Sequence, residues 1–405
     1  MKILTGLRSA GLRAAVIAAA ALLMAPAVAQ AQEKQPILIG GTLGLTGFLA
    51  EGSADYKAVY ERWSDEINKK GGLLGRPVKL VIYNDESTQA VAQSLYSRLL
   101  DQDKVDLLLA PFSTFVGGAV MPIVQSHNKL FFNGGFVSMA MFTNAKGSML
   151  GTYMYQEPDY TRSLFDFIKS LPADKRPKRA AIFTHQSPFP VVVRDGFNGQ
   201  GGALRFAKEA GVEVVVNEQF PPTTTDFNAL VQKAKAANAD IVLHIGQLND
   251  SLQVARTIQQ QDYKPAIFCT CGSPVSTIAA WAKLGAAAER GFSGMPSWPT
   301  QKLEGLAELA DFFKKERKQD TLPAYAIVAQ AVLQVIEQAV TGAGTLDQDK
   351  LRAYIYKNEF KTAAGNIRFQ ENGTPVYSQL LLQFQNGKNE VVFPAKDKTA
   401  DAVFP

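Results

Sequence analysis

The sequence predicts an α/β protein of two similar lobes, each a doubly wound parallel sheet with helices on both faces. Short β-rich runs alternate with amphipathic helical stretches from Pro36 onward, the pattern that parallel strands with right-handed crossovers demand. Two such series occur, roughly 36–152 and 178–294, on either side of "GTYMYQEPDY". About 370 residues follow the leader, more than a single core usually holds.

The leader comes first. "MKILTGLRSAGLRAAVIAAAALLMAPAVAQAQ" has a basic region (Lys2, Arg8, Arg13), an apolar region from Ala14 to Ala25, and the small-x-small site Ala29-Gln30-Ala31. This is the build of a secretory signal covering residues 1–31, with the mature chain starting at Gln32. Its apolar run of about 12 residues is short of the roughly 20 that a membrane span needs. No cysteine near the site offers a lipid anchor.

"ILIGG" (37–41) reads as a buried strand. The helix after it carries Tyr56, Val59, Tyr60, Trp63 and Ile67 on one stripe and stops at Gly71-Gly72. "VKLVIYNDES" is a strand and "TQAVAQSLYSRLL" a helix; "VDLLLA", "KLFF", "RAAIF", "VEVVV", "DIVLHI" and "AIFCT" are the further strands. Asp226 is expected to cap the helix in "FNALVQKAKAANA". After "SGMPSWPTQ" come two long helices, about 302–318 and 323–341, and a hairpin-like "IRFQENGTPVYSQLLLQF".

Losing residues 1–31 removes three basic and no acidic side chains, so the formal charge falls from +5 to +2. A nearly neutral chain gives no reason to expect nucleic acid as a partner. Cys269 and Cys271 are too few for a disulfide scaffold, and a bridge across one residue is usually strained, so they read as free small residues at a strand end.

Ligands of open parallel sheets sit outside the carboxyl ends of the strands. The loops to inspect are "TLGLTGFLAEGS", "APFSTFVGG", "NGGFVSMAMF", "HQSPFP", "GQLND" and "TCGSP". None carries a phosphate-cradling G-x-x-x-x-G-K-[S/T], a G-x-G-x-x-G turn, a G-x-S-x-G elbow or an H-E-x-x-H pair. His127, His185 and His244 have no metal-type spacing, and only His185 falls in a candidate loop. These absences leave no specific reason to propose catalysis or a cofactor. Ser113 and Thr114 instead offer hydroxyls beside free amides and the positive end of a helix, a setting that suits a carboxylate. The alternative is that one of them merely caps a helix beginning near Gly117.

Taken together, the leader, "ILIGGTLGLTGFLAEG", "INKKGGLLGRPVKLVIYNDESTQAVA", "KVDLLLAPFSTF" and "DFNALVQKAKAANADIVLHIG" resemble the substrate-binding proteins of branched-chain-amino-acid-type (Leu/Ile/Val-binding-like) ABC importers. The resemblance covers residues 36 to 390 and implies a type I periplasmic binding protein, with lobes joined by three hinge crossings that close on a ligand. It implies lobes of about 32–155 plus 300–360 and 156–299 plus 361–405, in a monomer that serves an inner-membrane permease with cytoplasmic ATPases. Carried over, the contact to the ligand carboxylate falls on Thr114 with Ser113 adjacent, and a second first-lobe contact on Gly135, Phe136 and Ser138. Phe48 to Glu51 match the first loop, Phe189 an aromatic that closes over the ligand, and Gln247 a further contact. Tyr155 and Cys271 complete the candidate set, together with Phe112 and Trp298.

Amino-acid binders resembling this chain place an acid after the "AIFCT"-type strand to meet the ligand ammonium, and here that place reads Cys271-Gly272-Ser273. An ammonium buried without a carboxylate costs several kcal/mol. Unless Glu51 or Asp250 supplies the charge, the expected ligand is a plain carboxylate. Phe48, Phe112, Phe136, Phe189 and Trp298 favour an aromatic or hydrophobic body for it, with Phe112 or Phe115 near that body. The alternatives are a branched-chain or other neutral amino acid, and a periplasmic enzyme using His185 with a nearby acid.

Overall fold

The computed structural model describes residues 34–145, 147–151, 156–271, 279–376 and 379–405. The leader, Tyr155, Gly272 and Ser273 lie outside the described residues.

Strand and helix alternate from the start: β1 (Ile37–Leu43), α1 (Ala50–Lys69), β2 (Val78–Asn84), α2 (Gln89–Asp101), β3 (Leu107–Leu109), α3 (Thr114–Ser126), β4 (Phe131–Asn133), α4 (Met139–Ala145) and β5 (Met149–Gly151). A 3₁₀ turn at Glu157–Asp159 leads into the second series. This comprises α5 (Arg162–Ser170), β6 (Arg179–His185), α6 (Pro188–Asp195), α7 (Ala203–Glu209), β7 (Glu213–Phe220), α8 (Asn228–Ala236), β8 (Ile241–Ile245), α9 (Leu248–Gln260), β9 (Ile267–Cys269), α10 (Ala279–Ala282) and β10 (Gly291–Met295). Three helices follow, α11 (Leu306–Lys315), α12 (Ala324–Ala343) and α13 (Gln348–Lys357). The chain ends on β11 (Glu359–Thr362), β12 (Gly365–Phe369), β13 (Pro375–Val376), β14 (Leu380–Gln385) and β15 (Lys388–Phe393).

The first sheet is parallel in the order β2-β1-β3-β4-β5. In the second, β7-β6-β8-β9-β10 repeat that same order, all parallel, and β14 and β15 extend the β10 edge antiparallel. The two series therefore wind identically, as the sequence pattern predicts. The chain crosses from the first sheet to the second between β5 and β6, returns after β10 to α12, which packs against α1, and crosses again to reach β14 in the second sheet. Strands β11 to β13 form a small antiparallel sheet of their own, held to α12 where Ala363 N donates to Gln334 Oε1 at 2.8 Å.

Local chemistry explains these elements. The Tyr56, Val59, Tyr60, Trp63 and Ile67 stripe of α1 is buried, and the helix ends where Gly72 N donates to Ile67 O at 2.9 Å. Gly72 has φ 77°, and a Cβ there would lie 1.8 Å from Arg76 O, so only glycine makes this turn. Helix α12 is apolar enough to resemble a membrane span, but it is a core helix, with nearly every side chain from Ala324 to Ile336 buried. It locks to α1 through the Tyr56–Tyr325 ring stack and a hydrogen bond from Trp63 Nε1 to Glu337 Oε2 at 3.2 Å.

Four expectations change. Helix α3 starts at Thr114, not near Gly117, because the Ser113 hydroxyl accepts from Phe115 N and caps it there. Asp226 sits one position too early to be the N-cap residue, although its carboxylate still accepts from Asn228 N at 2.8 Å. The expected C-terminal hairpin is split: β12 pairs with β13, and β14 leaves for the second sheet. Cys269 and Cys271 are not free but joined in a disulfide, their Cα atoms 5.2 Å apart.

Candidate functional site

A parallel sheet ordered 2-1-3-4-5 reverses direction between its first and third strands, and a ligand lies beyond the carboxyl ends of that pair. Here the switch point falls between β1 and β3 in the first sheet and between β6 and β8 in the second. The loops that leave these four strands carry most of the sequence-predicted residues.

On the first sheet, Ser113 is held at φ 84°, a strained conformation for a non-glycine residue. Two bonds keep it there: its N–H donates to Gly135 O at 2.9 Å, and its hydroxyl accepts from Phe115 N at 3.2 Å. This turn aims the amino end of α3 outward. Gly117 N donates to Ser113 O, so the amides of Thr114 and Val116 and the Thr114 hydroxyl have no protein partner among the described residues. Unpaired N–H groups at a helix start, with the dipole behind them, form an anion cradle. Phe48 and Phe115 stand beside it, 73% and 51% exposed, with ring centroids 5.9 Å apart edge to face. Glu51 lies exposed in the first turn of α1.

The other first-lobe candidates are buried or bonded within the protein. Phe112 is a core ring, packed between Tyr56 (5.3 Å) and Tyr325 (5.0 Å). Phe136 is likewise buried, its ring filling the space over Gly117. Gly135 has both backbone groups occupied: its N–H donates to Asn133 Oδ1 at 2.9 Å and its carbonyl accepts from Ser113 N. A Cβ at Gly135 would lie 2.0 Å from Pro111 O, so glycine is required where this loop crosses the β3 exit. Ser138 is buried, its carbonyl accepting from Phe142 N as α4 begins.

On the second sheet, His185 ends β6 with Nδ1 2.8 Å from Ser187 Oγ, and burial lowers its pKa while the charge of Asp250 opposes the shift. Asp250 is partly buried, which raises its pKa, and its carboxylate accepts from Gln247 N at 3.0 Å across the start of α9. Gln247 is exposed at that helix start. Behind it His244 is fully buried; burial, then the charge of His185, lowers its pKa to about 3. Phe189 is half-buried and meets Tyr160 edge to face at 5.0 Å. Cys271 closes its disulfide at the end of β9. Trp298 is half-buried in the second crossing, its N–H donating to Gln301 Oε1 at 3.0 Å.

Two buried carboxyls escaped the sequence reading. Asp55 on α1 is pushed up to about 7 by burial, which outweighs the lowering charge of Arg317. Glu157, 2% exposed, is pushed up to about 7 by burial against one hydrogen bond from Met139 N. Neither has a local sequence signal. Both bind protons more tightly folded than unfolded, so their contribution to stability is complete at acid pH and is lost as pH rises through about 7. Relative to the double variant Asp55→Asn, Glu157→Gln, the melting temperature of the parent protein is expected to drop as pH rises from about 4 to about 7, the buried His244 and His185 acting in the opposite sense in both proteins. An identical pH profile for both proteins contradicts this assignment.

Among the described residues no cluster of three or more His, Cys, Asp or Glu could hold a metal. The comparisons with known proteins agree with this architecture. Over 344 residues the chain is 23% identical to Leu/Ile/Val-binding protein homolog 7 of Brucella abortus, covering 82% of this chain and 84% of that one. A Rhodopseudomonas palustris ABC-transporter solute-binding protein, solved in complex with benzoate, superposes with a TM-score of 0.75 at 16% identity, covering 91% of this chain and 98% of that one. The Streptococcus pneumoniae branched-chain amino acid transporter substrate-binding protein LivJ, solved with isoleucine, gives 0.70 at 17% identity, covering 89% and 100%. The family model described as periplasmic binding protein matches residues 36–389, and the chain belongs to that family.

Proposed function

We propose that the protein is the periplasmic solute-binding component of an ABC uptake system, exported by its leader with cleavage after Ala31. It captures a small carboxylate with an aromatic or hydrophobic body between its lobes, without transforming it, and delivers it to an inner-membrane permease with cytoplasmic ATPases. The observation that carries the ligand class is the open amino end of α3, with the free Thr114 hydroxyl and the Thr114 and Val116 amides beside the exposed Phe48–Phe115 pair. Amides and a hydroxyl satisfy a carboxylate, and the rings accept a flat apolar body. The proposed lobes are 32–155 plus 300–360 and 156–299 plus 361–405. The packing of β11 to β13 against α12 favours moving the last boundary to about 376.

Structural neighbours hold benzoate and 3,4-dihydroxybenzoic acid, which supports this reading. The isoleucine complex and the Leu/Ile/Val-binding relatives support the second one, a branched-chain amino acid. Thermal-shift measurement on the mature protein with benzoate, 3,4-dihydroxybenzoate, isoleucine and leucine separates them. A ligand at a hundredfold its Kd adds roughly 2.7 kcal/mol of stability. A melting temperature unmoved by all four compounds sinks the carboxylate reading.

A further inference from the structure

The disulfide at Cys271 leaves the end of β9 without an acid, but the hinge holds another carboxyl. Glu157 sits in the 3₁₀ turn directly after the first crossing, and its Oε2 accepts from Met139 N, which follows the candidate contact Ser138. Pro158, its neighbour, accepts from Gly202 N at 2.7 Å, and Tyr160 packs on Phe189 at 5.0 Å. Glu157 thus stands where the β4 loop of the first lobe, the first crossing and the Phe189 wall of the second lobe converge.

Among the described residues no cation is paired with it. Asp159 on the same turn takes Arg162 at 2.6 Å, and Arg194 of α6 is paired with Asp195 at 2.6 Å. Among the described residues Met139 N is the one hydrogen-bond partner of Glu157, which leaves Oε1 without one. A carboxyl buried with a single amide donor loses much of its hydration without replacement, and such groups concentrate at functional sites.

We propose that Glu157 is the acid of the ligand site, receiving a hydrogen-bond-donating group carried by the bound carboxylate. This rests on the reading that the cleft takes a carboxylate at Thr114. The donor is either an ammonium, as in an amino acid, or a hydroxyl, as in a hydroxyaromatic acid. Either way the hinge supplies the charge that the β9 loop lacks.

Calorimetric titration with two ligand pairs tests it: L-leucine against 4-methylpentanoate, and 4-hydroxybenzoate against benzoate. Each pair differs by the donor alone. In one pair, the donor-bearing member is expected to bind the unmodified protein at least about tenfold more tightly, since a site built to pair a donor rejects the analogue lacking it. Glu157→Leu abolishes that preference and leaves the other member's affinity within about threefold. Glu157→Gln keeps an acceptor for Met139 N and separates the donors: an ammonium preference is lost, a hydroxyl preference is largely kept. It also carries the test if the leucine variant does not fold. Carboxylate binding with no donor preference, or a preference that survives Glu157→Leu, overturns the role of Glu157 and leaves carboxylate capture standing. No binding by any of the four compounds overturns both.

Discussion

Thr114→Val lowers affinity for the bound carboxylate by about tenfold to a hundredfold and leaves the melting temperature of the ligand-free protein unchanged. The range follows from about 1.5–3 kcal/mol for a hydrogen bond to a charged group. Stability is spared because the Thr114 hydroxyl bonds to nothing among the described residues, and valine matches its shape. Ser113→Ala makes the contrasting case: the Ser113 hydroxyl caps α3 through Phe115 N, so its loss costs about 1 kcal/mol of stability. Titration calorimetry beside thermal melts reads both. An unchanged affinity in Thr114→Val would remove the amino end of α3 from the site.

Gly135→Ala unfolds the first lobe's ligand loop and destabilises the protein by about 3 kcal/mol, the upper range for overpacking. The added methyl meets Pro111 O at 2.0 Å and Phe112 Cα at 3.0 Å, and backbone, unlike the end of a flexible side chain, cannot swing away. Relief requires the β4 loop to part from the β3 exit. That movement breaks the bond from Ser113 N to Gly135 O and releases the strained turn that aims α3. Ligand affinity therefore falls with stability. Urea unfolding within about 0.5 kcal/mol of the parent protein would contradict the close approach.

Sequence periodicity revealed the strands because buried parallel strands read as apolar runs and their helices as stripes, and both series carried those signals. It could not sort the aromatics. Phe112 and Phe115 lie three residues apart, one before and one in the first turn of α3, yet one is packed between Tyr56 and Tyr325 and the other is half exposed. A strand-to-helix turn has no period, so the crossing of the β4 loop over this exit decides which ring turns inward. Glu157 was hidden for a related reason. One acid among 37 has no local mark, and its hydrogen-bond donor, Met139 N, lies eighteen positions earlier, beyond the reach of any local pattern. Cys269 and Cys271 were read by spacing rules that disfavour their bond, and the bend at the end of β9 nevertheless brings them together.

The shared strand order of the two sheets separates two kinds of inheritance. The order is written in buried strands and helix stripes, where a substitution is felt as lost packing. What the protein holds is written in loops at the strand ends, where a substitution changes little of the core. Such a chain can trade one cargo for another through a few loop residues while its scaffold stays still, so its ligand is better sought at the proposed contacts, Thr114 and Glu157, than in the architecture they stand on.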